Sequence, residues 1–160
     1  MSGTLQVQIP SRARELAGLQ RVDYADAFAV DVATPRTPEE WVRVSAAASP
    51  ALFSAVRLAH RALGLPLAPP ESPDHPIGWD ILRSEPEEAV LGNDGLFGTP
   101  RIVVLTPPGQ VVIATLIRLN GLRGRAIWAP VAPGHRAVVR YILNKAPTLS
   151  PHAEARKPGK

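Results

Sequence analysis

The feature that most limits what this chain can become is a long apolar stripe at helical spacing across residues 122–144. Ile127, Val131, His135, Val138 and Ile142 recur at steps of four and three, with Trp128, Ala132 and Val139 beside them. That is the pattern of a helix laid lengthwise against another surface. Arg136 and Arg140 fall on the opposite, wet face, and Asn144-Lys145-Ala146-Pro147 supplies the stop. Pro130 and Pro133 lie inside the run, so the spacing predicts a helix that is kinked there or becomes regular only from Gly134. A helix of this length with one dry face needs a broad apolar partner, and the rest of the chain must provide it.

The best partner is the alternating segment 111–119. Val111, Ile113, Thr115, Ile117 and Leu119 share one face; Gln110, Val112, Ala114, Leu116 and Arg118 share the other. The first set is the drier and is placed toward the helix, with Thr115 as its hydroxyl. Residues 102–105 read as a neighbouring strand joined through Thr106-Pro107-Pro108-Gly109, and 96–101 as a weaker one interrupted by Gly98 and Pro100. From Ile77 the period is also two: Ile77, Trp79 and Ile81 alternate with Gly78, Asp80 and Leu82. Ser84-Glu85-Pro86-Glu87 turns the chain and Ala89-Val90-Leu91 returns it as a hairpin, before a turn at Gly92-Asn93-Asp94-Gly95.

An earlier strand, 22–32, puts Tyr24, Asp26, Phe28, Val30 and Val32 on one face and Asp23, Ala25, Ala27, Ala29 and Asp31 on the other. Asp26 thus shares the more apolar face, where a carboxylate costs free energy unless it is paired or protonated. Two readings follow: a functional acid, or an edge strand on which Asp26 reaches solvent or caps a backbone amide. Thr37-Pro38-Glu39-Glu40 is a capping box with proline at the first helical position and opens a helix to about residue 48. Ser49-Pro50 repeats the signal, and Leu52, Phe53, Val56, Ala59, His60 and Leu63 stripe a second helix stopped by Gly64. His60, on the margin of that stripe, reads as a structural histidine. Residues 65–76 carry five prolines and read as a long surface loop over a cavity mouth.

The organisation expected is an N-terminal extension at 1–21 with a short packing helix from Ser11 to Leu19, one domain at 22–146, and a disordered proline-rich tail at 147–160. A chain of 160 residues that is 45% hydrophobic suits a single core. With no cysteine, thiolate chemistry and disulfides are excluded. The formal charge of +4 is spread along the chain, and no basic cluster is interleaved with aromatics, so no nucleic-acid partner is expected. There is no apolar leader and no run near the ~20 residues that span a bilayer. A cytoplasmic protein with no membrane span is the expectation, and the oligomeric state stays open.

Strand, two helices, antiparallel meander and long final helix make an α+β chain in which a curved sheet wraps the C-terminal helix, the helix-grip arrangement. At this point the sequence resembles the START-like (SRPBCC, polyketide cyclase/dehydratase-like) superfamily, and within it a bacterial family of unknown function. The resemblance rests on Asp23-Tyr24-Ala25-Asp26-Ala27-Phe28, Thr37-Pro38-Glu39-Glu40-Trp41, Glu88-Ala89-Val90-Leu91-Gly92, Gly124-Arg125-Ala126-Ile127-Trp128 and Pro133-Gly134-His135-Arg136, and covers 22–143. The segment Gly95-Leu96-Phe97-Gly98-Thr99-Pro100 and Ile127 depart from the pattern toward more apolar character. The resemblance implies a hydrophobic cavity between sheet and last helix that holds an apolar small molecule, polyketide- or lipid-like. It implies no single reaction, because such folds serve both carriers and enzymes.

The four histidines, His60, His75, His135 and His152, fall in different elements, with no metal-type spacing. Phosphate-binding glycine loops and nucleophile elbows are likewise missing, and no cofactor is implied. What remains is acid and base chemistry on His135 and Asp26, with Tyr24 and Thr115 nearby in pattern. The expected site is His135 and Asp26 as a catalytic pair, with Tyr24, Trp79, Ile113, Thr115, Ile117, Trp128 and Val131 walling the ligand. Three functions are compatible with it: a binding module for an apolar molecule; a cofactor-free cyclase, dehydratase or isomerase; and an interaction domain whose cavity is filled by its own side chains.

Overall fold

The computed structural model describes residues 3–69 and 72–148. Its elements, in chain order, are β1 (Leu5–Gln6), α1 (Ser11–Ala17), β2 (Tyr24–Asp31), α2 (Pro38–Ala47), α3 (Pro50–Ala62), β3 (Asp80–Glu85), β4 (Glu88–Gly92), β5 (Gly98–Leu105), β6 (Gln110–Leu119) and α4 (Gly121–Lys145). Short 3-10 turns at Pro76–Gly78 and Ala146–Thr148 complete them. The part of the expected tail from residue 149 onward lies outside the described residues.

The strands form one curled six-stranded sheet in the order β1-β2-β6-β5-β4-β3, antiparallel at every junction. With α4 packed across it and α2 and α3 following the first long strand, the molecule has the α+β helix-grip architecture. The expected parity of β6 is the observed one: Val111, Ile113, Ile117 and Leu119 join Phe28 and Val30 in one core with Trp128, Ala132, Val139 and Leu143 of α4. No helix among the described residues is long and apolar enough to cross a membrane.

The far side of the sheet is also dry. Ala13 and Ala17 of α1 pack on Ala27, Ala29, Val103, Val112, Ala114 and Leu116, and Arg12 Nη2 ties α1 to Glu88 Oε1 at 2.8 Å. The segment from Leu5 to Ala17 is therefore built onto the sheet through β1 and α1, and the alanines of β2 are small because a helix lies on them.

Several local expectations change. The final helix runs unbroken from Gly121 and does not wait for Gly134. Pro130 and Pro133 are exposed, as are Ala126 and Ala129, whose carbonyls lose their i+4 donors, so the donors that the prolines remove are missing from the exposed side of the helix and not from the core. The fully buried line of α4 is Gly124, Trp128, Ala132, Val139 and Leu143, one residue beyond the predicted stripe; Ile127, Val131, His135, Val138 and Ile142 are half-buried beside it. Arg136 is half-buried too, and only Arg140 of the pair is on the wet face.

The hairpin expected from Ile77 starts at Asp80, because Ile77 sits in a 3-10 turn with φ 56°. A β-branched residue in the left-handed region is strained, and the turn is held from outside: Arg57 of α3 donates to the carbonyls of Ile77 (3.3 Å) and Ala68 (3.0 Å). Asn93 Nδ2 donates to Pro66 O at 2.6 Å, and Arg43 donates to Pro73 O. The proline-rich loop is thus fastened by buried or long polar side chains that carry no local sequence signal.

Candidate functional site

The register of β2 against β6 builds the site. Asp26 is paired with Thr115, Tyr24 with Ile117 and Phe28 with Ile113, so the carboxylate and the hydroxyl stand side by side on the face that α4 covers. Asp26 is 2% exposed and Thr115 4%. The edge-strand reading of Asp26 is overturned: β1 lies outside β2, β6 lies inside it, and α4 closes the face.

From α4, His135 places Nε2 3.4 Å from Asp26 Oδ2 and 3.2 Å from Thr115 Oγ1. The Tyr24 hydroxyl donates to the same Oδ2 at 2.5 Å. A carboxylate only accepts, so its neighbourhood favours the imidazole tautomer with the proton on Nε2 and the lone pair on Nδ1. Burial and the hydrogen bond to Asp26 push the Tyr24 phenol well above its ordinary value, against the opposing pull of Arg136. Tyr24 is therefore a donor that stays protonated, and it holds Asp26 in place. Asp26 Oδ1 is buried with no hydrogen-bond partner among the described residues.

An aromatic wall backs this cluster. Trp128 meets Tyr24 edge-on at 5.1 Å, lies 5.5 Å from the His135 ring and stacks on Phe97 at 5.4 Å and 13°. The position of Trp128 depends on the close approach of α4 to the start of β5, where Gly124 lies against the Phe97 carbonyl.

Beside His135 and Thr115 opens an apolar cavity of ≈ 100 Å³ between β5–β6, α4 and the α2–α3 pair. Of the residues assigned to the site, Ile113, Thr115 and His135 line it. Tyr24, Trp128 and Asp26 do not line it but stand behind His135; Ile117 and Trp79 are core residues, and Val131 is half-buried away from it. The rest of the wall comes from residues to which the sequence reading gave no site role, among them Ser45, Phe53, Val56, Val138 and Ile142. Their signal was present as the apolar stripe of α3 and the second half of the α4 stripe. Ser45 had none.

His60, in the last turn of α3, has its ring 5.6 Å from that of Trp79, and its Nδ1 is buried without a partner among the described residues. Burial first, then the charges of His135 and Arg57, depress its pKa to about 4. It is a neutral, packed histidine at pH 7, in keeping with the structural reading. A larger, open depression of ≈ 680 Å³ lies between residues 32–41, 86–87 and 106–110. Of its two carboxylates, Glu40 and Glu87, the first accepts from Thr37 N at 2.7 Å as part of the α2 cap. The convergence of imidazole, carboxylate and hydroxyl belongs to the smaller cavity. Among the described residues no group of three or more His, Asp or Glu is placed to hold a metal ion.

Residues 19–142 match the family described as "Protein of unknown function (DUF2867)", and the chain belongs to that family. No curated protein and no solved structure matches it.

Proposed function

We propose that this member of the family binds an apolar small molecule in the cavity between the sheet, α4 and the α2–α3 pair, with a polar group of the ligand directed at His135 and Thr115. The observation that carries the reading is the composition of the wall. It is apolar apart from His135 and Thr115, which meet next to a buried carboxylate, and the serines Ser45 and Ser49 on the α2–α3 side, which is the make-up of a ligand site that uses a few polar groups for orientation. The helix-grip architecture and the resemblance to the START-like superfamily support the same choice.

The size of the cavity adds a constraint. At ≈ 100 Å³ it is smaller than the ~150 Å³ apolar void that accommodates benzene. A polyketide- or lipid-sized ligand therefore requires a wall to move. The α3 wall is the least anchored: Arg57 is its one buried side chain, Leu58 is 70% exposed, and its cavity-facing Leu52, Phe53 and Val56 are not fully buried. Ligand entry by outward displacement of α3 follows.

A second reading, proton transfer on the bound molecule, is favoured by one specific contact, His135 Nε2 to Asp26 Oδ2 at 3.4 Å. Asp26 would orient the ring and stabilise the imidazolium, and Nδ1 would take the proton in an aldol-type cyclisation, dehydration or isomerisation. Native mass spectrometry of the purified protein tests the first reading: a reproducible apolar adduct that dissociates on unfolding is expected, and a clean apo mass together with no binding of apolar probes would reject it. The two readings then separate on His135→Phe. A carrier keeps most of its affinity, whereas an enzyme loses on the order of 10²-fold in turnover on the molecule identified.

A further inference from the structure

Ser45 presents a hydroxyl that the fold does not use. It is 4% exposed, it lines the apolar cavity, and its Oγ has no hydrogen-bond partner among the described residues. A serine inside a helix ordinarily returns its hydroxyl to the carbonyl one turn back, and Ser54 of α3 does so, donating to Pro50 O at 3.0 Å. Ser45, on the preceding helix, makes no such bond. A buried hydroxyl left unpaired is destabilising relative to alanine, which is the better helix former at the same position. The chain holds a costly group where a cheaper one would fit, and the residue that carries it stands in the cavity wall.

The polar groups of the cavity therefore stand on different walls. His135 and Thr115 come from α4 and β6, Ser45 comes from α2, and Ser49 stands at the junction of α2 and α3, less buried than Ser45. We infer that Ser45 is a second polar contact for the ligand, and that the ligand class is an apolar molecule bearing two hydrogen-bonding groups, one held by His135 and Thr115 and the other by Ser45. This rests on the binding function proposed above and makes it more specific: one-ended molecules such as simple fatty alcohols satisfy half of the site, whereas a hydroxy-ketone or diol satisfies both halves. Ser45 would also tie α2 to the sheet through the ligand, which gives the site a reason to prefer two-ended molecules over equally apolar one-ended ones.

The test uses 1-alkanols and α,ω-alkanediols of matched chain length, from butane to octane, titrated into the wild type, Ser45→Ala and His135→Phe with binding followed by ligand-observed NMR. In the wild type one chain length of diol should bind best. Ser45→Ala should weaken that diol by about 3- to 10-fold, the range of one net neutral hydrogen bond. It should change the matched alkanol by less than about 2-fold, since its one hydroxyl can remain at His135 and Thr115. The ligand-free melting temperature of Ser45→Ala should equal or exceed that of the wild type. Equal losses for diol and alkanol, no loss for either, or a lower melting temperature for Ser45→Ala would overturn the role of Ser45 while leaving the cavity as a binding site. Binding of neither series by the wild type at any length would overturn the binding reading itself, and this inference with it.

Discussion

Nε2 of His135 stands 3.4 Å from Oδ2 of Asp26 across the seam between α4 and β2, with Asp26 buried on both sides by sheet and helix. Two residues more than a hundred positions apart are thereby joined, and the pair is accessible from a cavity on the histidine side only. The contact is structural before it is functional: the same Oδ2 accepts from the Tyr24 hydroxyl at 2.5 Å.

Asp26→Ala should therefore be strongly destabilising. It would leave a half-buried phenol and a half-buried imidazole without their acceptor, and each donor stranded in this way costs about 1–3 kcal/mol. Asp26→Asn keeps the shape and one acceptor oxygen and should cost about 1–2 kcal/mol. Urea unfolding at neutral pH, with the two variants compared at equal slope, reads the difference. If both cost the same, Asp26 serves the fold by its volume and not by accepting from Tyr24 and His135.

The pH dependence of stability should carry a signature of His60. Its pKa is depressed to about 4 in the folded protein from an ordinary value of 6.5. Between these values the unfolded chain binds a proton that the native state refuses, so stability rises with pH across the window. The contribution is fully present above 6.5, is lost as pH falls toward about 4, and changes no further below that. At 1.36 kcal/mol per unit the loss amounts to roughly 3 kcal/mol. Asp23 and Glu88 also have depressed values, through the Leu119 N–H and the Arg21 and Arg125 guanidinium groups for the first, and Arg12 and Arg83 for the second. Their stabilisation is present above the ordinary carboxylate range and lost at lower pH, as pH falls through their folded values. Their share is common to wild type and His60→Leu and cancels in the difference. The denaturation midpoint of His60→Leu should rise relative to that of the wild type as pH falls from 6.5 toward about 4; a constant gap would mean that His60 titrates as it does in the unfolded chain.

The face assignment of α4 gives a third test. Leu143 is fully buried in the sheet-facing core and Arg140 is exposed, with its guanidinium 5.6 Å from the Phe28 ring. Leu143→Ala should cost about 2–5 kcal/mol by transfer and cavity terms. Arg140→Ala should cost less than about 1 kcal/mol, the upper range for an exposed cation–π contact. Similar thermal midpoints for the two variants would reverse the helix.

How much of this was readable in advance follows from what the residues advertise. Both faces of 111–119 are apolar, but Val111, Ile113, Ile117 and Leu119 share the drier one and a strand period of two keeps them together, so the parity of β6 and the presence of Thr115 beneath the helix were legible. The capping box at Thr37 was legible for the same reason, since its chemistry is local. The α4 stripe was misplaced by one residue because the buried line runs through Gly124 and Ala132, which contribute little to an apolar pattern. The larger Ile127, Val138 and Ile142 flank that line, and the last two face the cavity. The register that sets Asp26 opposite Thr115 depends on pairing between segments about ninety residues apart. The left-handed turn at Ile77 depends on Arg57 reaching across from α3. Neither is written in a window of sequence, and a lone serine in an alanine-rich helix carries no pattern from which the role of Ser45 could be read.

The last prediction separates two glycines of α4 and ties packing to the site. A Cβ added at Gly134 would meet nothing within 4 Å, and the position is exposed. Gly134→Ala should therefore stabilise by about 0.5–1 kcal/mol through helix propensity alone. A Cβ at Gly124 would lie 2.2 Å from the Phe97 carbonyl oxygen and 3.4 Å from the Leu119 carbonyl carbon. Both are backbone atoms of the sheet side and cannot swing away as a side chain would, so the first turn of α4 must lift. The propensity gain is the same about 1 kcal/mol, whereas forcing a methyl into a packed contact costs about 1–3 kcal/mol, and the net effect should be a loss. Because Phe97 stacks on Trp128 and Trp128 backs His135, the displacement should also reach the site. Gly124→Ala should alter the near-ultraviolet circular dichroism of the tryptophans and weaken the best-binding diol, while Gly134→Ala leaves both unchanged. A Gly124→Ala protein as stable as Gly134→Ala, with unaltered tryptophan signals, would mean that α4 does not seat on the Phe97 carbonyl and that His135 is positioned by something else.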